Sequence, residues 1–188
     1  MTTLDRSATL NRRNAEPPVW DFGDLRIRRY RRTEFETVLA LHREGLAQVG
    51  LRPGDGIYYE YDLFQMDRLY LSNGGEFLIG ELPPRNCAHA DRPVVAMGGL
   101  RRYSPDDHGI GEMVRLRVRK HVQRRGIGAA LVTALEQRAA ELGYRELRAD
   151  TTEYQSAALE LYRGFGWHET ARESINGIVN VYLAKTLA

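Results

Sequence analysis

Between residues 111 and 142 a strand-like run leads into a glycine-bearing turn and then an amphipathic helix, and this junction narrows what the chain can fold into. Gly111 to Val118 reads as the strand. The turn reads Gln123-Arg124-Arg125-Gly126-Ile127-Gly128. Behind it Ile127, Leu131, Leu135, Ala139 and Leu142 recur at helical spacing, and Gly143 stops the helix. The first amides of a helix have no intrahelical partner and carry the positive end of the dipole. An anion is their natural ligand. Glycines remove the Cβ atoms that would hold a phosphate away. Arg119, Lys120, Arg124 and Arg125 add positive charge, which favours several phosphates over one carboxylate. A P-loop needs lysine and then serine or threonine after its last glycine, but Ala129 and Ala130 stand there. A dinucleotide fingerprint needs a third glycine where this chain has Leu131.

The remaining elements are legible around this junction. Leu25-Arg26-Ile27-Arg28 reads as a half-buried strand. Thr33 and Glu36 are spaced as a capping box for a helix that Gly50 ends. Residues 57–71 read mostly as a second helix. Strands follow at 76–82, 93–102 and 111–118, then the helix from about 127 to 142. A strand at 147–151, a helix at 155–163 closed by Gly164, and two strands turning at Asn176-Gly177 complete the order. Residues 1–18 read as a flexible tail and 19–188 as one domain, a length that supports a sizeable core. The expected fold class is α/β (α+β), a mixed sheet covered by helices.

Composition excludes some roles. The net charge is +2, which does not single out nucleic acid, and no apolar run is long enough to span a bilayer. Cys87 is the only cysteine, and the N-terminus has no apolar signal stretch. Together these point to a reducing cytoplasm. Cys87 lacks a positioned base for acyl-enzyme chemistry, with only His89 nearby. The five histidines show no metal-ligand spacing, so no metal is expected.

Leu116-Arg117-Val118 is followed by Gln123-Arg124-Arg125-Gly126-Ile127-Gly128-Ala129, and Gln155, Ala158 and Tyr162 are followed by Gly166-Trp167. In these two spaced motifs the chain resembles the GCN5-related N-acetyltransferase (GNAT) family. The first is similar to its strand and Gln/Arg-x-x-Gly-x-Gly/Ala turn, and the second to its Asn-x-x-Ala-x-x-x-Tyr and Gly-Phe motifs. The resemblance in detail runs from about 94 to 168. It implies a mostly antiparallel sheet with one parallel, splayed strand pair and helices on both faces. It implies acetyl-CoA as co-substrate, its pantetheine beside main-chain groups of Leu116, Arg117 and Val118. Amides from Arg124 to Ala129 would hold the pyrophosphate, and Gln155 and Ala158 would flank the pantetheine. Gln155 departs from the usual asparagine, and Trp167 from phenylalanine.

The implied activity is direct acetyl transfer to a primary amine of a small molecule, amino acid or peptide. The resemblance assigns Tyr162 to the departing thiolate. For the base, strand alternation places Glu112 on one face with Val114, Leu116 and Val118. Asp150 and Glu153 are weaker candidates. The acceptor wall is expected near 50–75 and 172–180, where Tyr58, Tyr59, Glu60, Tyr61 and Asp62 would suit a cationic amine. A non-catalytic acetyl-CoA sensor on the same fold is the alternative, and a nucleic-acid-binding module is a distant third. Family members often dimerise, which leaves a homodimer open.

Overall fold

A computed structural model describes residues 18–55, 58–83 and 92–187. One eight-stranded sheet organises them: β1 (Val19–Phe22), β2 (Leu25–Arg29), β3 (Glu76–Glu81), β4 (Val94–Arg102), β5 (Ile110–Val118), β6 (Glu146–Thr152), β7 (His168–Ile175) and β8 (Ile178–Thr186). The order across the sheet is β1-β2-β3-β4-β5-β6-β8-β7. Every neighbouring pair is antiparallel except β5 and β6. The helices are α1 (Phe35–Ala47), α2 (Ile127–Glu141) and α3 (Ser156–Gly164). Strand β1 has no counterpart in the sequence reading. It forms because Gly23, at φ 61°, turns Phe22 back onto Leu25.

The sheet separates two apolar layers. On one face α2 and α3 bury Leu131, Leu135, Leu159 and Tyr162 against Met113, Leu147 and Leu183. On the other, α1 and the segment after it bury Val38, Leu41, Leu63 and Tyr70 against Phe77, Ile79 and Met97. Area removed from water on both sides is what holds the sheet between its helices.

Three local expectations are corrected. The N-terminus of the first helix is not closed by Thr33 and Glu36. A 3-10 turn, Arg32–Glu34, precedes α1, and Glu34 accepts the Arg31 amide at 2.7 Å. Within the stretch expected as a second helix, residues 58–71 do not form a continuous helix. They fold as a 3-10 turn, Leu63–Gln65, and a π turn, Asp67–Leu71. The physical reason is competition: the Tyr59 carbonyl accepts from Arg115 and the Asp62 side chain bonds Arg115 and Tyr70. Helix α3 is closed by Gly166 at φ 80°, not by Gly164. Gly166 donates to the Arg163 carbonyl and Trp167 to that of Tyr162, the paired bonds of a Schellman ending.

Candidate active site

The parallel pair β5–β6 is short. Its register runs from Ile110 opposite Glu146 to Met113 opposite Ala149 and then stops. Both strands continue, β5 to Val118 and β6 to Thr152, so they diverge and leave the β6-facing edge of Val114–Val118 without a ladder partner. Beside this splay, Met97 pairs with Arg117 but Gly99 pairs with Val114, so β5 carries one extra residue. Arg115 takes up that bulge at φ 60°, a conformation that arginine adopts only when its surroundings enforce it. The enforcement is an ion pair: Arg115 Nη2 lies 2.6 Å from Asp62 Oδ1 and its Nε 3.0 Å from Oδ2. Burial opposes charge on Asp62, yet hydrogen bonds from Arg115 and Tyr70 outweigh it and hold the carboxyl below its ordinary range.

The bulge overturns the alternation expected along this strand. Met113 lies on the α2–α3 face and Val114 on the α1 face, as a regular strand requires. After Arg115 the phase resets, and Leu116 and Val118 pack on the α2–α3 face. Glu112 therefore does not share a face with Leu116 and Val118. Arg117 instead points to the α1 face, where its stem presses against Gly45.

A cavity of about 860 Å³ occupies the splay. Met113, Leu116, Ala149, Ala158, Tyr162 and Leu183 line it from the α2–α3 face. Tyr58, Glu112, Val114, Arg117, Asp150 and Tyr182 line it from the other. One hole walled from both faces of a sheet requires strands that have parted, which is what β5 and β6 do.

Of the residues singled out from the sequence, Glu112, Leu116, Arg117, Gln155, Ala158 and Tyr162 line this cavity, whereas Val118, Gln123, Arg124, Arg125, Gly126, Ile127, Gly128 and Ala129 do not. The latter residues form the strand end and turn that lead into α2. Gly126 is the N-cap of α2 at φ 80°, and neither a side-chain cap nor an acidic first-turn residue covers that terminus. Gly128 lets the helix start approach α3, since a Cβ there would lie 3.2 Å from Leu161. Lys120, Arg124 and Arg125 are exposed around the turn. Arg119 is not free for an anion, because Glu44 on α1 holds it at 2.6 Å. Gln123 braces the turn, donating to the Val118 carbonyl at 2.9 Å and to Gln48 at 2.6 Å. The Leu116 carbonyl likewise accepts from Arg117 Nη1 at 2.9 Å. A pyrophosphate fits this terminus on chemical grounds: free amides, glycines and exposed cations converge there.

Tyr162 is held at its backbone and its ring. The α3 ending ties down its carbonyl, Trp167 packs tilted against its ring at 5.0 Å, and Glu136 fixes that indole at 2.8 Å. Its hydroxyl makes no hydrogen bond among the described residues and faces the cavity. Burial, with the negative charge of Asp150, pushes the phenol pKa up, so it stays protonated at neutral pH. Gln155 uses its Oε1 to accept from Thr151 at 2.7 Å and from Tyr58 at 2.8 Å, which leaves its amide nitrogen as the donor.

The two expected carboxylates fare differently. Glu112 accepts from Arg101 Nε at 2.6 Å, so one oxygen is already committed to a guanidinium. Glu153 is exposed and does not line the cavity. Asp150, ranked lower from the sequence, has no hydrogen bond among the described residues and lines the cavity. Burial and then the Glu112 charge push its carboxyl up to about 6, and Arg115, Arg101 and Arg117 offset only part of this. A period-two reading of β6 carried the signal: Leu147, Ala149 and Thr151 are buried, which turns Arg148 and Asp150 to the opposite face. Cys87 and His89 lie outside the described residues. Among the described residues no three His, Cys, Asp or Glu side chains gather as metal ligands, and no helix is long and apolar enough to cross a membrane.

The splay, the glycine turn and the cavity define an acyltransferase-like architecture, and the comparisons agree with it. The chain belongs to the acetyltransferase (GNAT) family, whose profile matches residues 51–167. Among solved structures it is similar to a GNAT-family acetyltransferase from Staphylococcus aureus, at 18% identity and a TM-score of 0.71 over 87% of this chain and 99% of that one. It is similar to yncA of Salmonella typhimurium, solved with its cofactor acetyl-CoA, at 14% identity and TM-score 0.70 over 88% of this chain and 95% of that one. A phosphinothricin acetyltransferase from Sinorhizobium meliloti in complex with acetyl-CoA is also similar, at 15% identity and TM-score 0.68 over 88% of this chain and 90% of that one. At these identities the similarity establishes the fold. A search of curated protein sequences finds no significant match.

Proposed function

We propose that the protein transfers an acetyl group from acetyl-CoA directly to a primary amine. The observation that carries this reading is the pairing, on one cavity in the splay, of Asp150 with its carboxyl near pH 6 and the protonated hydroxyl of Tyr162. Acetyl-CoA supplies a thioester whose acyl carbon accepts an amine lone pair. The α2 N-terminus with Gly126 and Gly128 holds the pyrophosphate, and Arg124 and Arg125 add charge there. The unladdered edge of Leu116–Val118 and the Gln155 amide hold the pantetheine.

An alkylammonium is mostly charged at pH 7 and has no lone pair to give. Asp150 takes its proton, directly or through one water, and is competent to do so above pH about 6. The nitrogen sheds a second proton as the amide forms, and that proton passes to the departing thiolate, to which Tyr162 donates a hydrogen bond as the C–S bond breaks. Its raised pKa suits it to stabilise a thiolate rather than to give its proton away outright. Glu112, clamped by Arg101, serves as the second negative charge that keeps Asp150 basic.

The test is an amine-panel assay with acetyl-CoA, read as free thiol release and as acetylated product by mass spectrometry, with calorimetry in parallel. Product with at least one amine supports transfer. Tight acetyl-CoA binding without product from any amine would instead support the sensor reading.

A further inference from the structure

Four guanidinium groups line the cavity: Arg101, Arg115, Arg117 and Arg148. Three have a carboxylate at contact distance. Arg101 meets Glu112 at 2.6 Å, Arg115 meets Asp62 at 2.6 Å, and Arg148 meets Glu146 at 2.5 Å. The acids expected to receive a cationic amine are spent in the same way: Glu60 is held by Arg43 at 2.8 Å, and Asp62 by Arg115. With those three pairs neutralised, Arg117 and Asp150 are the charged groups of the wall that have no ion-pair partner among the described residues.

Arg117 is the exception among the four. No carboxylate lies within ion-pair distance of it among the described residues. Its Nε is buried without a hydrogen-bond partner. Its Nη1 donates to the Leu116 carbonyl at 2.9 Å, and its guanidinium lies 5.7 Å from the Tyr58 ring centroid. Gly45 gives its stem room, since a Cβ there would come within 2.9 Å of Nε and overlap Cδ. The fork is thus fixed at one end, its Nη2 makes no hydrogen bond among the described residues, and the residue lines the cavity. A desolvated arginine does not lose its proton, so a missing counter-charge is a standing cost that an anionic ligand relieves. A planar carboxylate matches the fork in shape and charge.

We infer that the acceptor is a small amine that also carries a carboxylate, and that Arg117 receives the carboxylate while Asp150 serves the amine. This deepens the acetyltransferase reading and rests on it for the amine. Arg117 and Asp150 sense each other's charge and line one cavity. Amino and carboxylate groups a few bonds apart can therefore address both. The amine of a protein N-terminus has no such carboxylate and lacks this anchor.

The experiment compares free L-amino acids with their primary amides as acceptors. In parallel, N-acetyl-L-amino acids and N-acetyl amino acid amides are compared by thermal shift. Wild type should prefer acids over amides at least about 10-fold in kcat/KM, and acetylated acids should raise the melting temperature where their amides do not. Arg117→Gln should shrink that preference through KM, with kcat changed by less than about 3-fold, and Arg117→Lys should keep part of it. The assignment is overturned if wild type treats acids and amides alike in both assays, or if a folded Arg117→Gln protein keeps the discrimination. The wild-type comparison decides the matter even if the variants fail to fold. If no amine is turned over but acetylated acids still stabilise wild type and not Arg117→Gln, the carboxylate site stands and the acetyltransferase reading falls.

Discussion

The two sides of the proposed site are built in opposite ways. On the α2–α3 side, the proposed recognition rests on main chain and glycine: the open α2 terminus, the unladdered edge of β5 and the amide of Gln155. These parts come from two short stretches of sequence. On the α1 side, the proposed recognition rests on side chains from four segments, with Tyr58, Glu112, Arg117, Asp150 and Tyr182 lining one cavity. Side chains on the second side can change without disturbing the sheet, so we propose that selectivity for an acceptor resides there.

The largest expected effect comes from the boundary between the two sides. Asp150→Asn should lower kcat by roughly 10²–10⁴-fold while acetyl-CoA binds normally in calorimetry. Wild-type kcat should rise with pH through about 6 and then level, because only the ionised carboxylate is a base, and the variant should lose that limb. Stability has the opposite sign. The carboxyl titrates near 6 in the folded chain against 3.8 in an unfolded one, so the native state binds the proton more tightly between these values. It gains stability as pH falls from about 6 to about 4, and at pH 7 the carboxylate is a liability of up to roughly 3 kcal/mol. A melting temperature at pH 7 well below wild type would contradict this account of Asp150.

Gly126→Glu attacks the main-chain side alone. It places a carboxylate where a diphosphate is proposed to bind, and like charges at contact cost several kcal/mol, so acetyl-CoA affinity should fall by about 100-fold or more. Because Gly126 sits at φ 80°, the same change also strains the turn. Gly126→Asn separates the causes, since asparagine tolerates that backbone without adding charge. Affinity should stay near wild type in the Asn variant. Equal losses in both would show that backbone strain rather than charge governs binding.

This division also explains what the sequence disclosed. The glycine turn, Tyr162 and Gln155 lie in contiguous motifs, so their elements follow from spacing, and their shared neighbourhood is what the family resemblance of those motifs implies. The acceptor side depended on Arg115. One residue at positive φ shifts the phase of β5, sends Arg117 beneath α1 and separates Glu112 from Leu116 and Val118. Strict alternation cannot anticipate this, because a bulge is enforced by a partner 53 residues away, Asp62, rather than by its own neighbours. The same long-range bond broke up the helix expected over 57–71. Asp150 was undervalued for a related reason: its raised pKa comes from Glu112 and burial, both set by the splay.

Tyr162→Phe probes the point where the two sides meet. The ring keeps its place against Trp167, and only the hydroxyl is lost. Turnover should fall roughly 10–100-fold, the rate equivalent of one hydrogen bond to a charged group. The dissociation constant for acetyl-CoA should change little. A loss confined to affinity would move Tyr162 from the chemistry to the cofactor wall.

The smallest effect is expected from Gly45→Ala, and it isolates the acceptor side most cleanly. A glycine inside a helix costs roughly 0.5–1 kcal/mol relative to alanine, so α1 would ordinarily be steadier with alanine here. The obstacle is Arg117, whose Cδ occupies the space of that methyl group. Alanine must push the guanidinium from its position beside Tyr58 and the Leu116 carbonyl. KM for a carboxylate-bearing acceptor should rise roughly 3–10-fold, within the range of coupling between touching residues, and acetyl-CoA affinity should hold. In an Arg117→Gln background, where no guanidinium remains to be displaced, the same alanine should leave KM unchanged. Additive effects in that double-mutant cycle would mean that Gly45 serves α1 packing and not the placement of Arg117.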